Sequence, residues 1–265
     1  MHNKVVGLTC LDDELFVLRN RYQDDDYSSD EEGDQNYHIE VYSINNSSNY
    51  TGIREFSGQG RGADIISCAR RRCLYISNCD NNCVHKSTLN GDVVAKWPLP
   101  DSPYGLSLTP SNNLLVTCPH SRKLLELSSD RGQCVRQIEP QSDIKEPWHA
   151  IQLASQQYVV SYSFNELSRV SVVDVKGRIS HTYVGLGLSD CYVNLLSCPC
   201  HLTRGVDDFV LVADSENDRV VLLSAGLELM RHIKLKQRPH RLHLDHVTRH
   251  LYVGYDSGDV TVMQV

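Results

Sequence analysis

Residues 199–235 read PCHLTRGVDDFVLVADSENDRVVLLSAGLELMRHIKL and contain four short apolar runs. The runs predict β-strands at His201–Thr203, Phe209–Ala213, Arg219–Leu223 and Glu228–Leu235, because each is rich in Val, Leu or Ile. Asp, Asn, Ser and Gly separate the runs, and these residues favour turns. The stretch therefore predicts one four-stranded antiparallel sheet. Such a sheet cannot bury both of its faces alone, so it must pack against neighbours.

The same order of strands recurs along the chain. Units with this pattern span residues 5–56, 62–97, 103–138, 147–183, 199–235 and 239–265, so their starts are separated by 57, 41, 44, 52 and 40 residues. A period near 40 residues with four strands in each unit is typical of a β-propeller. The sequence therefore predicts an all-β fold: a single six-bladed β-propeller domain over residues 1–265, with blades of four antiparallel strands.

The last unit is shorter than the others. After Pro239 it contains P-H-R-L-H-L, H-L-Y-V-G-Y and D-V-T-V-M-Q-V, which predict three strands and no clear fourth. An uncovered strand edge is unfavourable. Two ways of closing the ring follow: direct packing of blade six on blade one, or a fourth strand supplied by additional N-terminal sequence.

Two segments resemble a known repeat. V-A-D-S-E-N-D-R-V-V-L-L at Val212–Leu223, and the weaker Y-I-S-N-C-D-N-N-C-V at Tyr75–Val84, are similar to the core of the NHL repeat. This resemblance implies a six-bladed propeller like those of tripartite-motif (TRIM-NHL) ubiquitin ligases and of their invertebrate relatives that carry little else. It also implies structural roles for Asp214, which accepts backbone N–H bonds in its turn, and for Arg219, which braces the next strand.

The net charge of −7 is concentrated in one insertion. Residues 22–36 carry seven acidic side chains, at Asp24, Asp25, Asp26, Asp30, Glu31, Glu32 and Asp34. Such a segment is expected to be a disordered acidic loop. Ser28 and Ser29 are each followed by an acid three residues later, so we expect them to be regulatory phosphorylation sites. The remaining chain is formally neutral, and we therefore expect neither DNA nor a membrane surface as a partner.

The sequence contains no run of 18 apolar residues and no apolar N-terminal segment, so we expect a cytoplasmic protein. We also expect no cofactor. Cys79 and Cys83, and Cys198 and Cys200, are close in sequence but do not form the paired C-x2-C pattern of structural zinc sites. Half of the ten cysteines fall in or beside predicted strands and are expected to be buried free thiols: Cys10, Cys68, Cys73, Cys118 and Cys200.

One face of the propeller is expected to bind a partner. Antiparallel strands reverse at every turn, so the links between blades and the turns between second and third strands share one end, called here the link face. Loops at one end of a rigid scaffold can converge on a ligand. We expect a partner-binding site there composed of Arg19, Arg61, Asp64, Tyr104, His120, Trp148, His149, His201, His240 and Arg241. The triplet Arg70–Arg72 is expected on the opposite face.

These features favour a non-enzymatic scaffold that binds a protein or peptide through the link face. The sequence has no nucleophile elbow, phosphate-binding loop or zinc-protease motif. The aromatic and arginine side chains of the link face are those that protein interfaces prefer. The NHL resemblance further implies target recognition in a ubiquitin-ligase context, although this chain has no RING or B-box array of cysteines and histidines.

Two alternatives remain open at this stage. Some NHL propellers bind single-stranded RNA on a basic link face, and here Arg19, Arg61 and Arg241 would supply charge while Tyr104 and Trp148 would stack with bases. Six-bladed propellers of the peptide-amidating lyase and lactonase kinds hold a metal ion in the channel. Asp64, His149 and His201 occupy the same position in their blades and are candidate metal ligands, whereas Arg241, at that position in blade six, would oppose a cation.

Overall fold

The computed structural model describes residues 4–20, 36–44, 50–164, 167–185 and 195–265. Residues 22–35 of the acidic insertion, with Ser28 and Ser29, lie outside the described residues. Six antiparallel sheets follow one another along the chain, which confirms the predicted six-bladed all-β propeller. Five sheets have four strands and the last has three, as predicted.

Each blade runs in chain order from its innermost to its outermost strand. Blade one comprises β1 (Val5–Leu11), β2 (Glu14–Asn20), β3 (Asn36–Ile44) and β4 (Tyr50–Gln59). Blade two comprises β5 (Gly62–Cys68), β6 (Cys73–Asn78), β7 (Cys83–Ser87) and β8 (Val93–Pro98). Blade three comprises β9 (Leu106–Leu108), β10 (Leu114–Cys118), β11 (Lys123–Leu127) and β12 (Cys134–Ile138).

The second half of the chain repeats the same order. Blade four comprises β13 (Pro147–Gln152), β14 (Tyr158–Phe164), β15 (Leu167–Val173) and β16 (Ile179–Tyr183). Blade five comprises β17 (Pro199–Arg204), β18 (Val210–Asp214), β19 (Arg219–Leu223) and β20 (Leu229–Lys234). Blade six comprises β21 (Pro239–Asp245), β22 (His250–Tyr255) and β23 (Val260–Gln264). The described residues contain no helix long and apolar enough to cross a membrane.

The core lies between neighbouring blades. One cluster joins Tyr75 and Trp97 of blade two to Leu114 and Leu125 of blade three, and clusters of this kind recur between other blades. Second strands pack on both faces, so β6 and β10 are buried at every residue. This double burial explains why these strands are nearly continuous apolar runs and do not alternate with polar residues. Each blade is therefore stabilised mainly by its two neighbours.

The two faces of the propeller divide the turns as the sequence predicts. Arg72, in the turn between β5 and β6, pairs with Asp12 in the turn between β1 and β2 at 2.7 Å. Arg71 lies 3.6 Å from Asp130 in the turn between β11 and β12. First-to-second and third-to-fourth turns thus meet on one face. Arg70–Arg72 lies opposite the link face.

Blade six packs directly on blade one. Tyr252 of β22 shares a buried cluster with Val5, Leu15 and Val17 of blade one. Lys4 forms an ion pair of 2.6 Å with Asp256 across the same junction. In the described part of the chain no strand pairs with the outer edge of β23. Its residues are half-buried or exposed, whereas β19, the third strand of blade five, is buried at four of its five residues.

We predict that β23 is less protected from hydrogen exchange than β19, the third strand of blade five. Amide protons of Val260–Gln264 should exchange faster than those of Arg219–Leu223, because only one neighbouring strand shields the backbone of β23. Hydrogen exchange followed by mass spectrometry measures this difference directly. Equal protection of the two strands would show that the outer edge of β23 is covered.

Candidate binding cup and axial network

The innermost strands share an irregularity that shapes the centre of the propeller. In five blades the register with the second strand shifts between the first and third residues: Val5/Gly7, Gly62/Asp64, Pro147/His149, Pro199/His201 and Pro239/Arg241. The residue between them is bulged out of the ladder. A β-bulge frees backbone groups and re-aims side chains. Here it releases carbonyls around the propeller axis.

The side chain of Arg241, in β21, donates hydrogen bonds to three of these carbonyls. Its Nε donates to the carbonyl of Val6 at 2.5 Å, its Nη2 to that of Ala63 at 2.9 Å, and its Nη1 to that of His240 at 2.9 Å. Val6, Ala63 and His240 are the bulged residues of blades one, two and six. The guanidinium is 1% exposed. It therefore ties three blades together where the ring closes.

Asp64 of β5 is the counter-charge of Arg241. Its carboxylate lies 3.8 Å from Nε of Arg241 and accepts the amide protons of Ile65 at 2.9 Å and of Leu106 at 2.8 Å. Leu106 belongs to blade three, so this carboxylate extends the network by one blade. Asp64 is 1% exposed. A buried charge of this kind is tolerated only when it is paired and hydrogen-bonded, as it is here.

Two stacked histidines complete the network. His149 and His201 have ring centroids 3.9 Å apart, and Nε2 of each lies 3.5 Å from Oδ2 of Asp64. His149 donates from Nε2 to the carbonyl of Leu106 at 3.0 Å, and Nδ1 of His201 accepts the amide proton of Leu242 at 3.4 Å. Blades four and five thereby join the other four. All six blades contribute a group to this axial network.

The same contacts assign the protons of both histidines. A carbonyl can only accept, so Nε2 of His149 carries a proton; Nδ1 of His201 accepts, so its single proton is also on Nε2. Burial, together with the charge of neighbouring groups, lowers the pKa of His201 to about 3. Burial raises the pKa of Asp64, but hydrogen bonds with His149 and His201 and the charge of Arg241 outweigh it and leave this pKa below its usual range. The network thus holds one carboxylate, one guanidinium and a neutral His201.

The axis has little room for further side chains. Blade three has Gly105 at the position equivalent to Asp64, His149 and His201. A Cβ on Gly105 would lie 2.6 Å from Cδ2 of His149 and 2.7 Å from the carbonyl oxygen of Trp148. Glycine is therefore required here for the stacked imidazoles to fit.

Above the network lies an open cavity of about 710 Å³ on the link face, called here the cup. The links before β5, β9 and β13 and the turns after β6 and β10 form its wall. Six of the ten predicted site residues line it: Arg61, Tyr104, His120, Trp148, His240 and Arg241. Arg241 forms part of the floor, so the cup rests directly on the axial network.

The other four predicted residues do not line the cup. Asp64, His149 and His201 lie beneath its floor, buried in the axial network. Arg19 is also buried and contacts Glu40 at 2.8 Å and the carbonyl of Gly258 at 2.7 Å. The repeat alignment gives Asp64, His149 and His201 the same position in their blades, and the structure brings these three together at the axis. The alignment does not show how deeply each side chain is buried, because the bulge that turns Asp64, His149 and His201 inward has no recognisable sequence pattern.

The cup also contains residues that the sequence analysis did not single out. They include Lys4, Asn20, Arg122, Lys145 and Glu146. Asn20 ends β2 and bonds both backbone groups of Gly62, which fixes the first blade-to-blade link. Arg122 follows His120 in the same turn, and Lys145 and Glu146 lie in the link that leads to Trp148 of β13. Position within a turn or link, extended by two or three residues, is the signal that would have found them.

The cluster of Asp64, His149 and His201 brings three metal-ligand atoms within 4.8 Å of one another. The hydrogen bonds do not suit a cation, because both Nε2 atoms carry protons and the carboxylate already accepts two amide protons. Arg241 adds a fixed positive charge 3.8 Å away. Metal binding through Nε2 would require each ring to carry its proton on Nδ1 instead; in His201 that nitrogen accepts the amide proton of Leu242, and in His149 it has no partner among the described residues. As it stands, the cluster is suited to holding blades together.

No protein-family model and no curated protein matches this chain. Solved structures with a similar fold include hydrazine synthase of Kuenenia stuttgartiensis, at TM-score 0.67 and 12% identity over 99% of this chain and 96% of that chain. Virginiamycin B lyase from Staphylococcus aureus is similar at TM-score 0.59 and 12% identity, covering 100% and 85%. A protein from Lactobacillus plantarum is similar at TM-score 0.63 and 16% identity, covering 98% and 84%. At these identities the similarity supports the propeller fold and carries no function.

We predict that Asp64→Asn lowers the free energy of unfolding by about 3–5 kcal/mol, because it leaves the Arg241 guanidinium buried without a counter-charge. The matched control is Asp12→Asn, which removes the same charge from an exposed pair with Arg72 and should cost about 1 kcal/mol or less. Urea denaturation of both variants measures the two values. Equal small losses would mean that the axial pair does not stabilise the ring.

Proposed function

We propose that this protein is a non-enzymatic interaction module that binds a segment of a partner protein in the cup. The observation that carries this proposal is the cup itself: an open cavity of about 710 Å³ that gathers aromatic and cationic side chains above a rigid floor. Its volume falls within the range of pockets that hold a ligand or a few side chains. It therefore fits a peptide segment or a projecting loop.

The chemistry of the wall supports a protein partner. Tyr104 and Trp148 meet edge to face with ring centroids 5.3 Å apart, and both are half-buried. Large aromatic side chains with a polar end are preferred anchors in protein interfaces. Their fixed positions lower the entropy cost of binding, because the contact rigidifies both rings before a partner arrives. The exposed side chains of Arg61 and His120 add hydrogen-bond donors around these anchors.

The NHL assignment belongs to this proposal as well. In the segment that resembles the NHL core, Asp214 accepts the amide proton of Ser197 at 2.7 Å and pairs with Arg219 at 2.5 Å. These are the bracing contacts that the resemblance implies for the two residues. We propose an NHL-like propeller on this basis. Target recognition for a ubiquitin ligase rests on the resemblance alone and would require a ligase component outside these 265 residues.

A metal-dependent enzyme is the second candidate, because Asp64, His149 and His201 converge and one of the structures with a similar fold is a lyase. The proton positions and the charge of Arg241 count against it. Metal analysis of the purified protein distinguishes a metal-dependent enzyme from a non-enzymatic interaction module. One equivalent of tightly held metal, lost in His149→Gln and His201→Gln, would favour the enzyme.

We predict that the cup variant His120→Ala/Arg122→Ala/Trp148→Ala loses partner recovery in affinity purification from the protein's own source. The matched variant Arg70→Ala/Arg71→Ala/Arg72→Ala, on the opposite face, should recover the partner as wild type does. Arg241 is left unchanged because it is buried and structural. Thermal denaturation of both variants verifies that each is folded. The reverse pattern of recovery would place the binding face on the opposite side.

A further inference from the structure

The cup presents an excess of positive charge at its surface. Its lining includes one carboxylate, Glu146, and four half-buried or exposed cationic side chains, Lys4, Arg61, Arg122 and Lys145, above the buried guanidinium of Arg241. This imbalance is local, because the propeller outside the acidic insertion is formally neutral. Cations therefore gather on this part of the link face and are not spread evenly around the ring. A local excess of this kind selects ligands by charge.

Three of these cations form ion pairs with carboxylates that are not part of the cup lining. Lys4 pairs with Asp256 at 2.6 Å, Arg61 with Asp80 at 3.6 Å, and Arg241 with Asp64 at 3.8 Å. None of the three carboxylates lines the cup. The lining itself therefore carries more cationic groups than carboxylates, and these ion pairs restrain the positions of three of them. The same carboxylates reduce the long-range positive potential, which favours a ligand with a few charges over a polyanion.

Arg122 provides the least compensated charge of the cup. Its side chain is exposed, and it forms no salt bridge with any residue in the described ranges. It follows His120 in the turn between β10 and β11, on the same part of the wall. An arginine is suited to a carboxylate because its planar donors match the two oxygens.

An unsatisfied donor lies beside these cations. The indole Nε1–H of Trp148 is buried and has no hydrogen-bond acceptor among the described residues. Buried donors are rarely left without a partner in native structures. The guanidinium of Arg241 lies 5.8 Å from the centre of the Tyr104 ring, so the aromatic pair is in contact with the cationic floor. The cup thus combines an apolar wall with positive charge, and one ring of that wall carries a buried donor without an acceptor among the described residues.

We propose that the cup recognises an acidic peptide segment of its partner, with a carboxylate bound by Arg122 and a neighbouring apolar side chain packed against Tyr104 and Trp148. This inference rests on the proposed function, in which the link face binds a protein. Single-stranded RNA is the other polyanion to consider. It fits less well, because Tyr104 and Trp148 contact each other and Arg241 covers Tyr104, so neither ring is an open platform for successive bases.

The test uses the full 265-residue protein and a fluorescein-labelled peptide, Glu-Glu-Leu-Glu-Glu-Leu-Glu, in fluorescence anisotropy. Its matched probe has Gln in place of every Glu. The Glu peptide should bind at least about tenfold more tightly than the Gln peptide, as loss of a charge-assisted hydrogen bond predicts. Arg122→Glu should weaken binding of the Glu peptide by a similar factor. Arg70→Glu, the same reversal on the opposite face, should leave it unchanged.

Several outcomes would overturn the inference. These are equal binding of the Glu and Gln peptides, no binding of either, equal effects of Arg122→Glu and Arg70→Glu, or tighter binding of oligouridine that Arg122→Glu abolishes. The proposed function is judged separately by partner recovery. If recovery depends on Trp148 but not on Arg122 or on salt, the cup remains the binding site and only the acidic class is wrong. If recovery depends on neither residue, the proposed function fails as well.

Discussion

The buried ion pair between Arg241 and Asp64 is the contact on which the centre of this propeller depends. The innermost strands bulge at their starts, and each bulge leaves carbonyls that no neighbouring strand satisfies. Arg241 donates to three of them, and Asp64 neutralises its charge. Each buried carbonyl left without a donor would cost about 1–3 kcal/mol, because it loses its bonds to water without replacement. The pair is thus the means by which a bulged ring closes.

The cup follows from the same geometry. Bulging turns Asp64, His149 and His201 toward the axis, and it places the adjacent residues Trp148 and His240 on the link face. Structural residues and proposed binding residues therefore alternate at the starts of the innermost strands. A rigid floor holds the wall in one arrangement, which is what a preorganised binding site requires. A substitution in the floor should act on binding through stability, whereas one in the wall acts directly.

The sequence predicts the architecture well and the site in part. Repeat spacing determines the number of blades, the strand order and the face on which Arg61, Tyr104 and Trp148 lie. The face follows because antiparallel strands reverse direction at every connection, so alternate connections lie at the same end. The spacing also aligns Asp64, Gly105, His149, His201 and Arg241 at one position. It does not show that the whole set is buried at the axis, since a one-residue bulge reverses the direction of a side chain. The sequence does not indicate an acidic ligand, because Lys4, Arg122 and Lys145 are separated along the chain and come together only in the folded cup.

The hydrogen bonds of the axial histidines are those of a structural network, and the protonation of their ring nitrogens distinguishes this role from that of a metal ligand. Long-range proton–nitrogen correlation spectra of histidine-labelled protein measure the protonation of each imidazole nitrogen. The account predicts a proton on Nε2 of both His149 and His201, a neutral His201 at about pH 5 because burial lowers its pKa to about 3, and no change when zinc is added. An Nε2 without a proton on either ring, with shifts that move on addition of zinc, would contradict it.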